Sequence, residues 1–556
     1  MKCSHCHADL EPDDCFCGEC GHPRQTFTPP PPVDPVRIPI GALGIDLGTT
    51  KSVIAAIVAG KPVVIPNTEG ARSTPTVVGF ATNGDRYVGA PAKAQAPLNP
   101  TRTLSSFKRN VGKGAPAAGI DDKQYSIEEL WAMVLTKLKA EAELYLGQRA
   151  VDAVLTVPSY FDYGQRAAVT NAAEMADFSV LRIVSEPVLA GLAYEFGRSD
   201  RHKDETILVY NLGGGNFDVA ILEIGDGVLE VKATAGEPLG GEKFDEQLMN
   251  FVAEDFQQQE GIDLRRDQQA VQRLREACEN AKRELSLRAE TEIDLPYLVA
   301  SPNGAKHLKC KVTRAKFQDL TRDLLERTRY LLERIVSDVN VVAQKTDRKA
   351  GRTPRDVYLT PDGINKVVLV GGATRMPAVA DMIKQWTGKE PYRGLNADEA
   401  AAVGAAVEAA VLCGQLTDCL LLDVIPLSLG VQTAGGVFTK IIEHYTTIPC
   451  RSTETFTTYS DSQTTVEIRV LQGEQPLAAD NRLLGVLILS GIPPRPRGVP
   501  QVDISFDIDA NGIVHVSAED KATGRQQSLK VTGRSQPGSE EKGYVVQNGE
   551  QAIQLR

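Results

Sequence analysis

The chain has 556 residues, of which 42% are hydrophobic and 24% charged, the balance of a soluble globular protein with about three or four domains. A net charge of −11 disfavours generic nucleic-acid binding, and no apolar run of about 18 residues predicts a membrane span. The polar, cysteine-rich start does not resemble a secretory signal, and the ten cysteines do not form a disulfide framework, so we expect a cytoplasmic protein.

Two Cys-x-x-Cys pairs in residues 1–23 predict a small zinc ribbon. Each pair presents two thiolates on a tight turn, which suits a tetrahedral Zn²⁺ ion. So short a segment cannot bury a core, and the metal would supply most of its folding free energy. The alternatives are a redox thiol cluster or a swapped ligand, with Cys15 as the rival of Cys17. The segment resembles ribbons that serve as interaction modules, with an unknown partner. The predicted ligands are Cys3, Cys6, Cys17 and Cys20.

The main α/β region is predicted over residues 41–417, after a stiff proline-rich linker at 24–40. β-rich runs alternate there with amphipathic helical runs, as expected for an α/β protein. Examples are the strands at 151–157 and 206–210 and the helices at 164–177 and 264–286.

The segment Gly44 to Lys51 reads Gly-Ile-Asp-Leu-Gly-Thr-Thr-Lys between two β-rich runs, which predicts a hairpin with a phosphate-binding tip. Because Gly48 has no Cβ, the amides of the tip can approach a phosphate closely. Asp46, at the strand end, suits a magnesium ion held through its waters. An ordinary glycine-turn hairpin with a capping aspartate is the alternative.

Two later segments repeat this pattern. Residues 210–222 form a strand, a glycine-rich turn and a strand that carries Asp218. Residues 367–377 form a strand that runs into a Gly-Gly turn ahead of a helix. Together, the three turns predict a two-lobed nucleotide cleft that holds phosphates from both sides and covers the adenosine with the third turn.

The C-terminal part changes character. Short alternating runs over 424–532 predict a β-sandwich. Before it, 418–423 places four apolar residues between two aspartates. This linker can dock as a strand or lie exposed and could thereby signal the nucleotide state, and a buried strand end is the alternative. Residues 533–556 are polar with little apolar periodicity and are predicted to be disordered.

The order of these motifs resembles the DnaK-type seventy-kilodalton heat-shock chaperones from about Leu43 to about Thr532. The segments that carry the resemblance are Gly-Ile-Asp-Leu-Gly-Thr-Thr, Leu-Thr-Val-Pro-Ser-Tyr-Phe, Leu-Gly-Gly-Gly-Asn-Phe-Asp and Val-Gly-Gly-Ala-Thr-Arg-Met-Pro. The resemblance implies a multidomain fold with a two-lobed α/β actin-like ATPase domain and an all-β peptide-binding sandwich, in addition to the zinc ribbon. It also implies ATP or ADP with Mg²⁺ as ligands.

The resemblance assigns roles to individual residues. The catalytic group is Asp46, Lys108, Glu186 and Asp218. The nucleotide contacts are Gly48, Thr49, Thr50, Lys51, Gly213, Gly214, Gly215, Gly240, Gly241, Glu279, Lys282, Arg283, Ser286, Gly371, Gly372, Arg375 and Asp398. The peptide pocket is Val431, Phe456, Val466, Ile468 and Ile492, with Ala434 and Tyr459 arched over it. Pro158 and Arg166 match residues that relay the nucleotide state. By pattern alone, the charged residues Glu279, Lys282 and Arg283 would form a solvated, ion-paired helix face. The apolar residues of the peptide pocket would be part of the sandwich core.

The chain departs from the family pattern at the second phosphate turn, where Asn211 and Asn216 replace an aspartate and a threonine. Losing the carboxylate and the hydroxyl should weaken hydrolysis more than binding, because the glycine amides remain. Lys51 replaces a smaller or neutral residue and either compensates for part of this loss or points to solvent. The chain also lacks the family's helical lid, so bound peptide should leave quickly.

We therefore expect an ATP-binding chaperone of the stress response that binds extended apolar peptides under control of slow ATP hydrolysis. A J-domain cochaperone and a nucleotide exchange factor are implied as partners. The alternative is a nucleotide-binding adaptor with a weak or inactive ATPase that recruits partners through the ribbon and the sandwich. A small-molecule kinase is a third possibility, which the sandwich disfavours.

Overall fold

A computed structural model describes residues 42–111, 118–121, 123–199, 203–302, 304–509 and 512–531. The predicted zinc ribbon, the proline-rich linker and the polar tail lie outside the described residues. The described α/β region, the interdomain linker and the sandwich belong to one compact unit.

The first lobe is built from short β-branched strands and capped helices. Its strands are β1 (Leu43–Leu47), β2 (Lys51–Val58), β3 (Lys61–Val64), β4 (Thr74–Pro75), β5 (Val77–Phe80), β6 (Arg86–Val88), β7 (Thr103–Ser105), β8 (Ala118–Ile120), β9 (Lys123–Tyr125), β10 (Asp152–Val157) and β11 (Ser179–Ser185). Its helices are α1 (Ala90–Gln95), α2 (Ile127–Leu146) and α3 (Tyr163–Met175), followed by α4 (Glu186–Gly197). Reciprocal side-chain and backbone bonds begin α2 at Ser126 and Glu129 and α3 at Asp162 and Gln165.

The second lobe repeats the central arrangement of the first. Its strands are β12 (Glu205–Leu212), β13 (Phe217–Gly225), β14 (Val228–Glu237), β15 (Glu290–Ser301), β16 (Gly304–Thr313), β17 (Lys366–Val370) and β18 (Leu420–Leu422). Its helices are α5 (Gly241–Glu260), α6 (Gln268–Leu287), α7 (Arg314–Leu320), α8 (Arg322–Lys349), α9 (Pro377–Thr387) and α10 (Ala400–Leu412). The predicted helix 264–286 is divided, because Asp267 caps α6 and leaves a 3₁₀ turn at Leu264–Arg266.

The two main sheets have related topologies. The first has the order β11-β10-β1-β2-β3, with β4 also on β2, and the second has the order β17-β12-β13-β14-β18. In both, an antiparallel hairpin, β1-β2 or β12-β13, adjoins a parallel strand, β10 or β17. The tip of each hairpin is one of the predicted phosphate turns, so the sheets fix where these turns lie.

Small residues allow α10 to pack between the lobes. A Cβ on Gly44 of β1 would lie 2.0 Å from the Ala406 nitrogen, and a Cβ on Gly404 would lie 1.7 Å from the Leu189 carbonyl oxygen of α4. Because neither backbone atom can move cheaply, glycine is required at both close approaches. The alanine-rich sequence of α10 therefore holds β1 and α4 in fixed relation.

The C-terminal domain is the predicted β-sandwich. Its strands are β19 (Leu429–Thr433), β20 (Val437–Ile442), β21 (Cys450–Thr457), β22 (Thr465–Gln472), β23 (Arg482–Ser490), β24 (Gln501–Ile508), β25 (Val514–Asp520) and β26 (Gln526–Val531). They form two antiparallel sheets in the orders β20-β19-β22-β23 and β21-β24-β25-β26. Alternate side chains of both sheets share one apolar core, with Phe506 fully buried.

The linker docks on the second lobe. Leu420–Leu422 forms β18, which pairs in parallel with the start of β14, and Leu421 is buried. A docked strand is compatible both with a signalling linker and with a buried strand end, so the signalling role stays a prediction. Beyond it, Asp423 lies 3.9 Å from Arg182, which binds Glu408 of α10 at 2.6 Å.

The sandwich contacts the first lobe through the start of α3. Arg482 pairs with Asp162, the Tyr163 hydroxyl donates to the Gly512 carbonyl at 2.8 Å, and the Tyr163 ring packs against the sandwich core. A Cβ on Gly164 would lie 1.8 Å from a guanidinium nitrogen of Arg482, so glycine makes room for the ion pair.

Candidate nucleotide-binding site

The tips of the two hairpins meet at the centre of the α/β region. A Cβ on Gly214 would lie 2.4 Å from the Thr50 methyl carbon, and a Cβ on Gly215 would lie 2.5 Å from the Thr49 hydroxyl oxygen. The glycines therefore let the second tip approach both threonines of the first. Glycines at such a close approach suit phosphate binding by backbone amides. The amide of Gly213 itself donates to the Asn216 carbonyl at 3.0 Å.

The Gly240-Gly241 turn supports the second tip from behind. The amides of Gly241 and Glu242 donate to the carbonyls of Gly213 and Gly214 at 2.8 and 2.9 Å. A Cβ on Gly240 would lie 2.4 Å from the Gly214 oxygen. Gly240, one of the predicted nucleotide contacts, therefore allows close packing against the second tip.

Lys108 links the first hairpin to the second through Glu186. It is 2% exposed, and its ammonium donates to the Leu47 carbonyl at 2.6 Å and to Glu186 Oε1 at 2.9 Å. The other oxygen of Glu186 accepts from Asn211 Nδ2 at 2.8 Å. A lysine held this rigidly presents a fixed positive charge at the end of β1.

The two predicted magnesium-arranging aspartates flank this lysine. Asp46 accepts from the Thr156 hydroxyl at 2.6 Å, and Asp218 Oδ1 accepts from the Ser159 amide at 2.7 Å. Asp218 is fully buried, and its Oδ2 has no hydrogen-bond partner. The structure thus brings all four residues of the predicted catalytic group together.

Burial raises the pKa of both aspartates, and the negative charge of Glu186 raises it further. The pKa of Asp46 reaches about 7, although Lys108 opposes the shift. The pKa of Asp218 rises well above its usual range for the same two reasons. Three carboxyl groups therefore share one ammonium, and a bound cation would stabilise the ionised forms that burial disfavours.

The three carboxyl groups around one ammonium, and the oxygen of Asp218 that has no hydrogen-bond partner, fit a magnesium ion. Mg²⁺ prefers oxygen ligands and retains several of its waters, so few direct protein ligands are needed. Among the described residues, no group of three or more His, Cys, Asp and Glu side chains is arranged to bind a metal directly. Asp46 and Asp218 would therefore hold the ion largely through water and the nucleotide phosphates.

The predicted adenosine residues lie on α6 and around the third turn. Glu279 pairs with Arg283 on one face of α6, and Arg375 pairs with Asp398 at 2.8 Å. A pocket joins the two elements, with Lys282 and Ser286 on one side and Met376 and Pro377 on the other. The lysine itself binds Asp245 at 2.6 Å and the Gly241 carbonyl at 3.0 Å.

The third turn itself requires glycine. Gly371 has a φ of 85°, and a Cβ there would lie 2.3 Å from the Leu212 carbonyl oxygen at the end of β12. A Cβ on the next residue, Gly372, would lie 3.0 Å from Asp398 Oδ1. The Gly-Gly turn therefore lies directly behind the second hairpin.

Lys51 lies near the charged residues of the adenosine side. Burial lowers the pKa of its ammonium, while the charges of Asp398, Arg283, Glu279 and Arg375 act on it in opposite directions. These residues belong to α6 and to the third turn, so the ammonium of Lys51 lies within reach of the adenosine side, but the residue is exposed. Both roles that the sequence allowed, partial compensation and a side chain in solvent, therefore stay open.

The two predicted relay residues lie beside the site. Pro158 follows β10 and is buried, with its carbonyl accepting from the Phe161 amide at 3.1 Å. Arg166 of α3 donates to the Phe161 and Ile183 carbonyls at 3.2 and 3.4 Å. Burial lowers the pKa of Arg166, and the carboxylate of Asp423 in the linker is the strongest opposing influence.

The predicted peptide pocket divides into a buried and an exposed part. Val431, Ile468 and Ile492 are each 2% exposed and belong to the sandwich core, against which Phe456 and Val466 pack. Both residues of the predicted arch, Ala434 and Tyr459, are exposed.

A model of the family described as Hsp70 protein matches residues 42–554, which is nearly the whole chain. The chain belongs to the Hsp70 family. Membership supports an actin-like ATPase domain, a β-sandwich and, in general terms, an ATP-binding chaperone that takes part in protein folding. Hsp70 proteins bind ATP or ADP with Mg²⁺, and in general bind unfolded peptides and cochaperones. No helix among the described residues of this Hsp70 protein is long and apolar enough to span a membrane.

Several site residues of this Hsp70 protein were missed by sequence reasoning. Tyr160 lies in the quoted Leu-Thr-Val-Pro-Ser-Tyr-Phe segment, so its position was a usable signal. Its hydroxyl donates to Asn216 Oδ1 at 2.5 Å. Ion pairs between the lobes had no local signal, and they are Arg72–Glu399 at 2.6 Å, Lys93–Glu279 at 3.5 Å and Arg109–Glu242 at 2.9 Å.

Proposed function

We propose that this protein is a DnaK-like chaperone in which a magnesium nucleotide between the hairpins controls the binding of apolar peptide by the sandwich. The observation that carries the proposal is the course of β14. At one end, Gly236 of β14 pairs with Asp218 of the site. At the other end, Val228 to Glu230 pair with the linker strand. One strand thus contacts both the nucleotide site and the linker.

The same strand also touches the sandwich. The Tyr445 hydroxyl donates to the Thr234 carbonyl of β14 at 3.0 Å, and the Thr234 hydroxyl donates to Ser159 at 2.7 Å. Ser159 in turn binds Asp218 through its amide. A change at Asp218 on nucleotide binding can therefore reach the sandwich through a continuous chain of contacts.

Within the site, each predicted residue has a definite task. Lys108 places a positive charge where the terminal phosphate develops negative charge, and Glu186 orients that lysine. The magnesium ion, when bound, supplies charge neutralisation. Asn211 takes the place of an aspartate in the family pattern. Its amide nitrogen donates a hydrogen bond to Glu186, and the amide cannot accept a proton from water as a carboxylate can. Hydrolysis is therefore slow, while the phosphate cradle remains intact.

The amides at 211 and 216 are also the observation that favours the second candidate, a nucleotide-binding adaptor with an inactive ATPase. In that case the protein would bind nucleotide and recruit partners without turnover. A zinc ribbon at Cys3, Cys6, Cys17 and Cys20 would serve as the recruiting module, and a metal assay giving less than about one zinc per chain would exclude it.

The remaining parts of the proposal concern setting and partners. Four cysteines of the described residues are free, which favours a reducing compartment such as the cytoplasm. They are Cys278, Cys310, Cys413 and Cys450. A J-domain cochaperone, a nucleotide exchange factor and a role in the stress response complete the proposal by analogy with the family.

Release of a fluorescent apolar peptide, with and without ATP, tests the proposed coupling. We expect ATP to change the dissociation rate by about tenfold, the size of a typical coupling energy between two sites. Equal rates would reject nucleotide control of the sandwich. Single-turnover hydrolysis then separates the two candidates, because a rate no faster than that of Asp46→Ala would leave only the adaptor.

A further inference from the structure

The side chain of Asn216 joins the two lobes at the point where the hairpin tips meet. Asn216 belongs to the second tip and is 5% exposed. Its Oδ1 accepts from the Tyr160 hydroxyl at 2.5 Å, and its Nδ2 donates to Thr49 Oγ1 at 3.2 Å. Tyr160 and Thr49 both belong to the first lobe, so a residue of the second lobe is held at both ends of its amide.

The partners fix the orientation of this amide. Burial, followed by the negative charges of Asp218 and Glu186, raises the pKa of Tyr160, so its hydroxyl remains protonated and needs an acceptor. The amide oxygen of Asn216 is that acceptor, which directs the amide nitrogen at Thr49. A threonine at 216 has a single hydroxyl and lacks the second polar atom that this arrangement uses.

The bond to Thr49 competes with a ligand. Thr49 lies at the first tip, with its hydroxyl in the contact between the tips, and it is 5% exposed. A terminal phosphate held from both sides must take this hydroxyl and separate the tips, whereas a shorter nucleotide need not. Breaking one buried hydrogen bond lowers affinity by about two- to tenfold.

We propose that Asn216 is a positioning residue which, with Tyr160 and Thr49, clamps the hairpin tips together and makes the cleft favour ADP over ATP. This inference rests on the proposed nucleotide function and names the nucleotide that the site prefers. The clamp stabilises the closed tips in the absence of a terminal phosphate. ATP binding has to open it, and ADP binding leaves it in place.

Dissociation constants for ADP and ATP with Mg²⁺, measured by calorimetry on the full chain, test the clamp. In Asn216→Ala we expect ATP affinity to rise relative to ADP affinity by about two- to tenfold, the equivalent of one hydrogen bond. Tyr160→Phe, which only releases the amide, should shift the ratio in the same direction by a smaller factor. Tyr163→Phe is the matched control, because it removes a tyrosine hydroxyl bonded elsewhere, to Gly512.

The outcomes are distinguishable. If Asn216 contacts the terminal phosphate directly instead, Asn216→Ala will weaken ATP more than ADP, which is the opposite sign. An unchanged ratio in both Asn216→Ala and Tyr160→Phe also overturns the clamp while the nucleotide function stands. If neither nucleotide binds wild type, the proposed function fails and the clamp fails with it.

Discussion

The first hairpin carries Asp46 before Leu47 and Gly48, and the second carries Asn211 before Leu212 and Gly213, so equivalent positions hold a carboxylate and an amide. At the first, the carboxylate is buried beside Glu186, which raises its pKa to about 7. At the second, the amide donates to the same glutamate at 2.8 Å. An amide at 211 therefore turns a repulsion between carboxylates into a hydrogen bond.

We expect this difference to separate the binding of a nucleotide from its hydrolysis. The first hairpin keeps the charge, the threonines and the glycine that a phosphate and a cation need. The second hairpin keeps its glycines but replaces two reactive groups by amides that bind other residues of the protein. We therefore expect a cleft that is more firmly closed and that hydrolyses ATP more slowly.

The largest effect is expected from Lys108→Met, because Lys108 supports both hairpins at once. Its loss leaves Glu186, Asp46 and Asp218 without their shared ammonium. We expect a loss of about 3–5 kcal/mol in the free energy of unfolding and about a 10²- to 10³-fold fall in any hydrolysis. Denaturant unfolding and single-turnover hydrolysis measure the two effects. Wild-type values in both would contradict the role given to this lysine.

A smaller gain in stability is expected from Asp218→Asn, which removes a buried carboxylate with an orphaned oxygen. Because the folded-state pKa of Asp218 is raised, this carboxyl group destabilises the fold increasingly as the pH rises above 3.8, and the effect is complete above the folded-state pKa. The substitution should raise the free energy of unfolding by about 1–3 kcal/mol at pH 8 without Mg²⁺, and this gain should vanish as the pH falls towards the ordinary value of 3.8. Thermal unfolding over this pH range measures it.

The matched control for Asp218→Asn is Asp520→Asn in the sandwich. Asp520 is also fully buried with one orphaned oxygen, but lies far along the chain from the hairpins. Stabilisation by Mg²⁺ with ADP should persist in Asp520→Asn and decrease in Asp218→Asn. Equal stabilisation of both variants would show that Asp218 does not serve the cation.

The smallest effect is a pH dependence that Asp46 should give to nucleotide binding. A cation binds the carboxylate form, so affinity for ADP with Mg²⁺ is complete above the pKa of about 7 and falls below it. Between pH 8 and pH 6 the expected loss is about tenfold. Calorimetry in buffers at pH 8 and pH 6 measures this loss of affinity. The variant Asp46→Asn should show a flatter dependence of affinity on pH, because only the nucleotide's own titration remains. The same slope in both proteins would refute the assignment.

The sequence predicted those features of the cleft that depend on local pattern. The hairpins, the strands of the sandwich and the Gly-Gly turn follow from β-branched runs and from glycines that close approaches require. Lys108, Glu186 and the aspartates were brought together by the family resemblance, since nothing near Lys108 in the chain indicates its partners. The helix predicted at 264–286 was divided because Asp267 is a strong helix cap.

Contacts between distant residues could not be predicted. Asn216 and Tyr160 are 56 positions apart, Arg482 and Asp162 are 320 apart, and Arg72 and Glu399 are 327 apart. Each of these residues is an ordinary polar side chain in its own segment. Only the packing of the lobes and the sandwich determines which of them meet.

The most direct test of the central claim compares wild type with the double variant Asn211→Asp, Asn216→Thr, in ATP binding and in single-turnover hydrolysis of the same samples. We predict that the two proteins bind ATP within about tenfold of each other, because the glycine cradle is shared. The double variant should hydrolyse it at least about tenfold faster, because a carboxylate and a hydroxyl return to the site. Hydrolysis by wild type as fast as by the double variant would contradict the separation of holding from hydrolysis.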